Sequence, residues 1–338
     1  MRGLIAREGA MGTVGRRQFF IAAGALLASM PVRAKSPGKI PRVGYLFSFV
    51  PSQGEHLWSA CRQGLKEHGY VEGKTILLEP RWANGHHDRL PKLVAALVRA
   101  ECDVIVSAAT PASLAARAGA GSIPIVIVAV ADPVRVKLVM SLAHPGGTVT
   151  GLTLLTPELS PKRLQLLVEI IGQVARVAIL TNPKNASHVV FTEQTLKAAQ
   201  SMGIEIQQLR ASDPAEIEQA FKDAVVHRAQ GIIVFDDPVT WSHRTLVAAQ
   251  AAKARLPAMY GYSEFVGEGG LVSYGPYRPD LYRRTADYVD KILRGADPGT
   301  LPIERPTRFE LYLNRKTAQS LGLTIPPSIL FSADRVFG

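Results

Sequence analysis

Short apolar runs alternate with segments of helical spacing along most of the chain. Residues 43–47 form one such run and are followed by helical spacing over 55–68, while the wholly apolar run 104–106 is typical of a strand buried on both faces. We expect a further helix over 133–142, and a second series opens at Ser160, with proline in its first helical turn. Two series of strand and helix units predict an α/β protein with two parallel sheets.

The N-terminus has the pattern of an export signal. A pair of arginines at 16–17 precedes an apolar run over 19–30, which is too short to cross a hydrocarbon core of about 30 Å. Val32 and Ala34 then supply the small residues that a signal peptidase reads. We therefore expect a signal peptide over residues 1–34, cleavage after Ala34 and a periplasmic protein.

Two properties of this leader stay open. The paired arginines fit a twin-arginine export route, and a general secretion signal is the alternative. The chain has a methionine at position 1 and another at position 11, and either is a possible start. No cysteine follows the apolar run, so a lipid anchor is not expected.

Composition and charge narrow the class of protein. With 47% hydrophobic and 20% charged residues, the chain can build a sizeable core, and about 300 residues after cleavage favour two domains. The five arginines and one glutamate of residues 1–34 account for part of the net charge of +11, which falls to +7 without them. No basic run is interleaved with aromatic residues, so we expect no nucleic-acid partner.

Motifs for catalysis, cofactors and metals are not found. The sequence has no Gly-x-Ser-x-Gly elbow, no Walker A motif and no Gly-x-Gly-x-x-Gly after the first strand, which argues against an enzyme and against a bound cofactor. Its histidines, including His86 and His87, have no metal-ligand spacing, and no metal is expected. Export would permit a disulfide between Cys61 and Cys102, but the sequence does not determine whether they pair.

Small and polar residues follow the apolar runs at the carboxyl ends of the predicted strands, where open α/β sheets bind ligands. In Thr110-Pro111, proline suits the first turn of a helix whose free N–H groups and dipole attract an anion. Thr110 is therefore our candidate for holding a ligand carboxylate. Capping of its own helix is the alternative role.

Acidic residues stand at several other predicted strand ends. Asp132, Asp236, Asp237 and Glu264 are candidates for binding a ligand ammonium group, with Asp237 first among them. Each is also a candidate for a helix N-cap or a hinge position.

Aromatic residues near the strand ends would form an apolar subsite, because binding clefts are mostly apolar with a few oriented polar groups. Trp82 belongs to this group, or else to the core. The predicted ligand-binding residues are Ser48, Phe49, Ala109, Thr110, Pro111, Ala112, Asp132, Asn182, Asp236, Asp237, Tyr262, Glu264 and Tyr274.

Motifs spread along the chain after the leader resemble those of the periplasmic substrate-binding proteins of ABC transporters, in the family that includes tryptophan- and phenylalanine-binding members. The resemblance covers nearly all of the chain after residue 34. Its motifs are Arg62-Gln63-Gly64-Leu65, His68-Gly69-Tyr70-Val71-Glu72-Gly73, Arg81-Trp82-Ala83, Ala131-Asp132-Pro133-Val134, His144-Pro145-Gly146-Gly147-Thr148, Gly269-Gly270-Leu271-Val272-Ser273-Tyr274-Gly275 and Pro306-Thr307-Arg308-Phe309.

The resemblance implies a type I periplasmic-binding-protein fold, in which two Rossmann-like, doubly wound lobes are joined by three crossover segments and close on a ligand. It assigns residues 40–151 and 268–303 to the N-terminal lobe, and 153–265 and 305–338 to the C-terminal lobe. Hinges would lie at 150–153, 264–269 and 303–307. The segments 107–110 and 128–131 depart from the family pattern, because many members have glycine there.

In function, the resemblance implies a monomeric binding protein that passes a small molecule to the permease of an ABC importer. We expect a ligand that bears a carboxylate, such as an aromatic or branched amino acid. The alternative is a ligand-sensing protein of the same fold that signals to a receptor.

Overall fold

The structure, a computed structural model, describes residues 39–154 and 156–338. The signal peptide expected over residues 1–34 lies outside the described residues. None of the helices that the structure describes is long and apolar enough to cross a membrane.

The first sheet contains five parallel strands in the order β2-β1-β3-β4-β5. Every residue of β3 and β4 is buried, because these central strands have helices on both faces. The strands are β1 (Arg42–Phe47), β2 (Leu77–Trp82), β3 (Val104–Ala108), β4 (Ile125–Val130) and β5 (Val149–Thr153).

The second sheet contains seven strands in the order β12-β11-β10-β9-β8-β6-β7. Its pairs are parallel except for β10 with β11. The strands are β6 (Arg176–Thr181), β7 (Glu205–Arg210), β8 (Gly231–Val234), β9 (Ala258–Tyr260), β10 (Val272–Pro276), β11 (Phe309–Asn314) and β12 (Arg335–Phe337).

Helices connect these strands, and many begin with proline in the first turn. They are α1 (Pro51–Glu67), α2 (Leu90–Arg99), α3 (Thr110–Gly119), α4 (Ser160–Ile171), α5 (His188–Met202), α6 (Pro214–Val226), α7 (Pro238–Ser242), α8 (Arg244–Lys253), α9 (Glu264–Gly267), α10 (Arg278–Leu293), α11 (Arg315–Ser320) and α12 (Pro327–Ser332).

The two sheets with their helices are the two lobes, and the predicted two-lobed α/β architecture is confirmed. Helix α10 packs along α1 of the first lobe. Gly64 of α1 permits this, since a Cβ atom there would lie 2.1 Å from the Arg283 carbonyl oxygen. One core cluster, which includes Phe47 and Trp241, runs through both lobes. A second lies in the first lobe, and a third lies in the second lobe together with Ala131, which follows β4.

The chain changes lobe after β5, between β10 and α10, and between α10 and β11. The first and third of these crossovers lie side by side, because Leu152 at the end of β5 forms a β-bridge with Glu304. The second crossover was predicted near residues 264–269, and this is wrong: β10 pairs with β9, so the chain stays in the second lobe until residue 276. An apolar run predicts a strand without indicating which sheet it joins.

The helix expected over residues 133–142 is also wrong. Residues 133–137 form turns that end where Lys137 takes a left-handed conformation with φ of 58°. The N–H groups of Leu138 and Val139 then both donate to the Pro133 carbonyl, which ends the turn.

Both cysteines are buried and free. Burial raises the pKa of the Cys61 thiol to about 12 and that of Cys102 to about 11, which keeps both protonated near neutral pH.

Candidate functional site

Strand ends of the two lobes face each other across a cleft, and the lobes touch there. The Ser187 hydroxyl of the second lobe donates to Thr110 Oγ1 of the first, at 2.8 Å. Gln53 of α1 donates through Nε2 to the carbonyl of Ser242 in α7, at 2.7 Å. The cleft is therefore closed in this structure.

An aromatic contact joins the lobes inside the cleft. The ring of Phe49, after β1, meets the ring of Trp241 in α7 edge to face, with centroids 4.7 Å apart at 90°. Phe49 is 2% exposed and Trp241 1% exposed. The ring of Trp82 lies 5.6 Å from Phe49. Gly54 leaves space for Phe49, because a Cβ atom there would come 2.1 Å from the ring.

The first-lobe side of the cleft is built from small residues and backbone. Ser48 is buried and donates to the carbonyl of Ala108 at 3.2 Å. Ala109 has φ of 73° and ψ of 160°, a conformation that favours glycine, and its N–H donates to Val128 at 2.9 Å. Ala129, near the end of β4, also has a positive φ, of 59°. Ala109 and Ala129, one in each of the two segments that depart from the family pattern, thus have strained backbones.

At the start of α3, where the anion seat was predicted, the Thr110 hydroxyl oxygen accepts hydrogen bonds from protein groups. Pro111 and Ala112 are buried in the first turn of this helix. Thr110 Oγ1 accepts the hydrogen bond from Ser187 and a longer one, 3.4 Å, from the N–H of Ala131. Thr110 does not cap its helix, since it is the first helical residue and the capping position is Ala109.

Asp132 acts as a local cap. Its Oδ1 accepts from the backbone N–H groups of Val134 and Arg135 at 3.1 and 3.0 Å. This carboxylate therefore stabilises the turn that follows β4, which is the alternative role considered for it.

Asp237 is fully buried, and both oxygens of its carboxylate accept hydrogen bonds from protein donors. Oδ1 accepts from Asn182 Nδ2 at 3.0 Å and from the N–H of Val239 at 2.8 Å, which makes Asp237 the N-cap of α7. Oδ2 accepts from Asn185 Nδ2 at 2.8 Å. Asn182 and Asp237 thus hold the strand-end loops of the second lobe together.

Asp236, one residue earlier, has a different environment. Its Oδ2 accepts from Arg163 Nη2 of α4 at 3.1 Å, and both side chains are 1% exposed. Asp236 Oδ1 and Arg163 Nη1 are buried and have no hydrogen-bond partner within residues 39–154 and 156–338. Arg163 also donates from Nε to the carbonyl of Tyr274 at 2.8 Å. Sequence analysis missed Arg163.

Tyr274 contributes that carbonyl, but its ring does not enter the aromatic contact described above. The ring stacks on Phe309 with centroids 6.3 Å apart and packs against the core of the second lobe.

A buried arginine fills the crossover side of the cleft. The Arg278 guanidinium lies 3.9 Å from the ring centre of Tyr262 and 4.4 Å from that of Trp241. It also pairs with Glu264 of α9, and His56 Nε2 of α1 lies 2.9 Å from the same carboxylate. Burial alone would raise the pKa of Glu264, but Arg278 and then His56 outweigh it and lower that pKa to about 2.

His188 lies behind the aspartates. Its Nδ1 accepts from the N–H of Asn182 at 2.7 Å, and its Nε2 lies 3.2 Å from the carbonyl of Asp236. Burial lowers the pKa of His188, so the ring is neutral near pH 7. Among residues 39–154 and 156–338, no group of three or more His, Cys, Asp or Glu side chains is placed to hold a metal ion.

A two-lobed α/β protein with its strand ends closed around a buried aromatic and charged cleft is a binding protein of the type I periplasmic fold. A family model for ABC transporter substrate binding proteins matches residues 55–337. The chain belongs to this family.

The individual proteins to which the chain is similar share less than a third of its sequence. A tyrosine-binding protein of Clostridioides difficile (strain R20291) is 24% identical over 262 residues, which cover 77% of this chain and 75% of that protein. The crystal structure of a conserved domain protein from Vibrio cholerae has a TM-score of 0.84 and 29% identity, and covers 88% of this chain and 100% of that one.

A Streptococcus pneumonia ABC domain in complex with L-Trp has a TM-score of 0.82 and 23% identity, with 88% of this chain and 100% of that chain covered. At this identity, the similarity shows the fold.

Proposed function

We propose that the protein is the extracytoplasmic solute-binding component of an ABC importer and that its cleft captures an amino acid with an aromatic side chain. The observation that carries this proposal is the contact between Phe49 and Trp241, because it puts one buried aromatic ring from each lobe at the cleft.

The chemistry of the cleft supports an aromatic ligand. Edge-to-face and offset aromatic contacts contribute about 0.5–1.5 kcal/mol beyond the area that they bury. A ligand ring packed beside the contact of Phe49 with Trp241 would meet an aromatic ring from each lobe. Trp241 Nε1 is buried and has no partner among the residues described, so it could donate to a ligand. The similarity to a tyrosine-binding protein agrees with this class of ligand.

Contacts between the lobes support capture by closure. The pairs Ser187 with Thr110 and Gln53 with Ser242 exist only when the lobes meet. A ligand that touches both lobes stabilises the closed form by its difference in affinity for the two forms. The closed form would then be the one that the permease recognises.

A thermal-shift screen tests the ligand class. The chain from Lys35 onward would be heated with L-tryptophan, L-tyrosine, L-phenylalanine, L-leucine and simple carboxylates. A ligand at 100 times its Kd stabilises the folded state by about 2.7 kcal/mol, so we expect a clear rise in Tm with at least one aromatic amino acid. No shift with any amino acid, or chemical conversion of one, would contradict the proposal.

Uptake of the stabilising amino acid tests the importer role. We expect deletion of the gene to abolish high-affinity uptake of the radiolabelled amino acid, and the intact gene to restore it. Unchanged uptake together with a lost transcriptional or chemotactic response would favour the sensing alternative instead.

A further inference from the structure

We propose that Arg163 and Asp236 form the seat of the ligand's α-amino-acid group, with Asp236 Oδ1 accepting from the α-ammonium and Arg163 Nη1 donating to the α-carboxylate. This inference rests on the amino-acid ligand proposed above. It assigns a binding role to Arg163.

Unused hydrogen-bonding capacity is the first observation. The two side chains are 1% exposed and share one hydrogen bond of 3.1 Å, yet an oxygen of one and a nitrogen of the other have no partner within the described part of the chain. Leaving a buried polar group unpaired costs about 1–3 kcal/mol, and more for a charged group. A zwitterion offers the donor and the acceptor that these two atoms need.

The fixed position of the pair is the second observation. A Cβ atom on Gly261 would lie 1.5 Å from Asp236 Oδ1 and 2.5 Å from Arg163 Nη2. A Cβ atom on Gly275 would lie 3.3 Å from Arg163 Nη2. The backbone at the ends of β9 and β10 therefore packs against the pair, with Gly261 against Asp236 Oδ1 itself, so a ligand would reach that oxygen from the opposite side.

The pair also lies close to the aromatic part of the cleft. Asp236 follows β8, and its charge adds to burial in raising the pKa of Tyr262, whose ring centre is 6.4 Å from that of Trp241. An amino acid with its polar end at Asp236 could thus direct its side chain towards Trp241.

The other candidate groups already accept hydrogen bonds from protein donors. Asp237 accepts three hydrogen bonds from protein donors, and Asp132 accepts two from its own turn. Thr110 Oγ1 accepts from both Ser187 and Ala131. Among the predicted ammonium sites, Asp236 and Glu264 each have a buried oxygen without a partner in the described part of the chain, and Glu264 already pairs with Arg278 through its other oxygen.

Ligand analogues separate the two roles. Calorimetric titrations would use L-tryptophan, tryptamine, which lacks the carboxylate, and indole-3-propionate, which lacks the ammonium, with the tyrosine series in parallel. For Asp236→Asn we expect a loss of at least about 100-fold with the amino acid and the amine, and about threefold or less with the carboxylate analogue. For Arg163→Met we expect the reverse split, with the amine least affected.

A second substitution distinguishes loss of binding from loss of folding. Arg163→Lys keeps the charge, so it should fold where Arg163→Met does not, and it should recover part of the affinity for indole-3-propionate. If Arg163 and Asp236 only stabilise the fold, the variants would lose affinity for all three probes equally or for none of them. Either result, with binding by the wild type intact, would overturn the inference. If the wild type binds no amino acid, the proposed function fails and the inference with it.

Discussion

The two sides of the cleft are built from different chemistry. The first lobe presents Ser48, Phe49 and the strained Ala109, which offer shape and backbone groups. The second lobe presents Asp236 and Arg163, which have charge and unused hydrogen-bonding capacity. The difference suggests that the first lobe selects the outline of a ligand and the second lobe its charges.

The two adjacent aspartates of the second lobe sharpen this comparison. Both oxygens of Asp237 accept hydrogen bonds from protein donors and the residue caps α7, whereas Asp236 has one buried oxygen without a partner in the described residues. Neighbouring carboxylates at one strand end thus have different environments, and we propose a role in the fold for Asp237 and in ligand binding for Asp236.

An extra methyl group beside Asp236, on the charged side of the cleft, should have the largest effect on stability and binding. In Gly261→Ala the new methyl group would overlap Asp236 Oδ1, so we expect a loss of about 3 kcal/mol in the free energy of unfolding and loss of amino-acid binding. Urea denaturation measures the first and calorimetry the second. Gly267→Ala is the control, because its added Cβ would have no described atom within 4 Å beyond its chain neighbours and its own helix backbone, and it should stay within about 0.5 kcal/mol of wild type. Equal stability of the two variants would contradict the packing described here.

Acid should weaken the contact between the lobes at Glu264. Because its pKa is depressed in the folded protein, its ionised form stabilises the fold above the ordinary pKa of 4.5, and that contribution is lost as the pH falls towards 2. We expect a loss of about 2 kcal/mol over this range. Glu264→Gln should remove this component of the pH dependence, whereas Glu218→Gln, at an exposed position on α6, should leave it unchanged. A pH profile identical in all three proteins would refute the assignment.

Relief of strain on the apolar side should have the smallest effect. Ala109→Gly removes a Cβ atom at φ of 73°, and the relief of about 1–3 kcal/mol exceeds the entropy cost of glycine, about 0.5–1 kcal/mol. We expect the free energy of unfolding, measured by thermal denaturation, to rise by about 1 kcal/mol. Ala112→Gly, in the first turn of α3, should instead lose about 1 kcal/mol. Destabilisation by both would show that Ala109 is not strained.

Residue patterns predict much of this fold, and the elements that they predict wrongly have physical causes. Apolar runs locate the central strands and hence the polar residues after them. They do not show that β10 joins the second sheet, because a buried run looks the same in either sheet. Nor do they show that Lys137 ends the turn after Pro133, which depends on its left-handed backbone.

The site was predicted less completely, because strand ends were the guide to it. Phe49, Asp236 and Tyr262 do lie at the cleft, but the second aromatic ring and the two buried arginines come from helices. The sequence did contain a signal for one of these two arginines. Arg163 stands on the same helical stripe as Leu167 and Ile170, both buried, and an arginine at such a position indicates a buried ion pair.

The most direct test of the account compares two buried phenylalanines. Phe49 lies in the cleft, and Phe221, 1% exposed, lies in the core on α6. Calorimetric titration with the amino acid that stabilises the wild type should give one site per chain, an affinity at least about tenfold weaker in Phe49→Leu, and no more than about a twofold change in Phe221→Leu. Equal affinities in the two variants would contradict an aromatic ligand in the cleft.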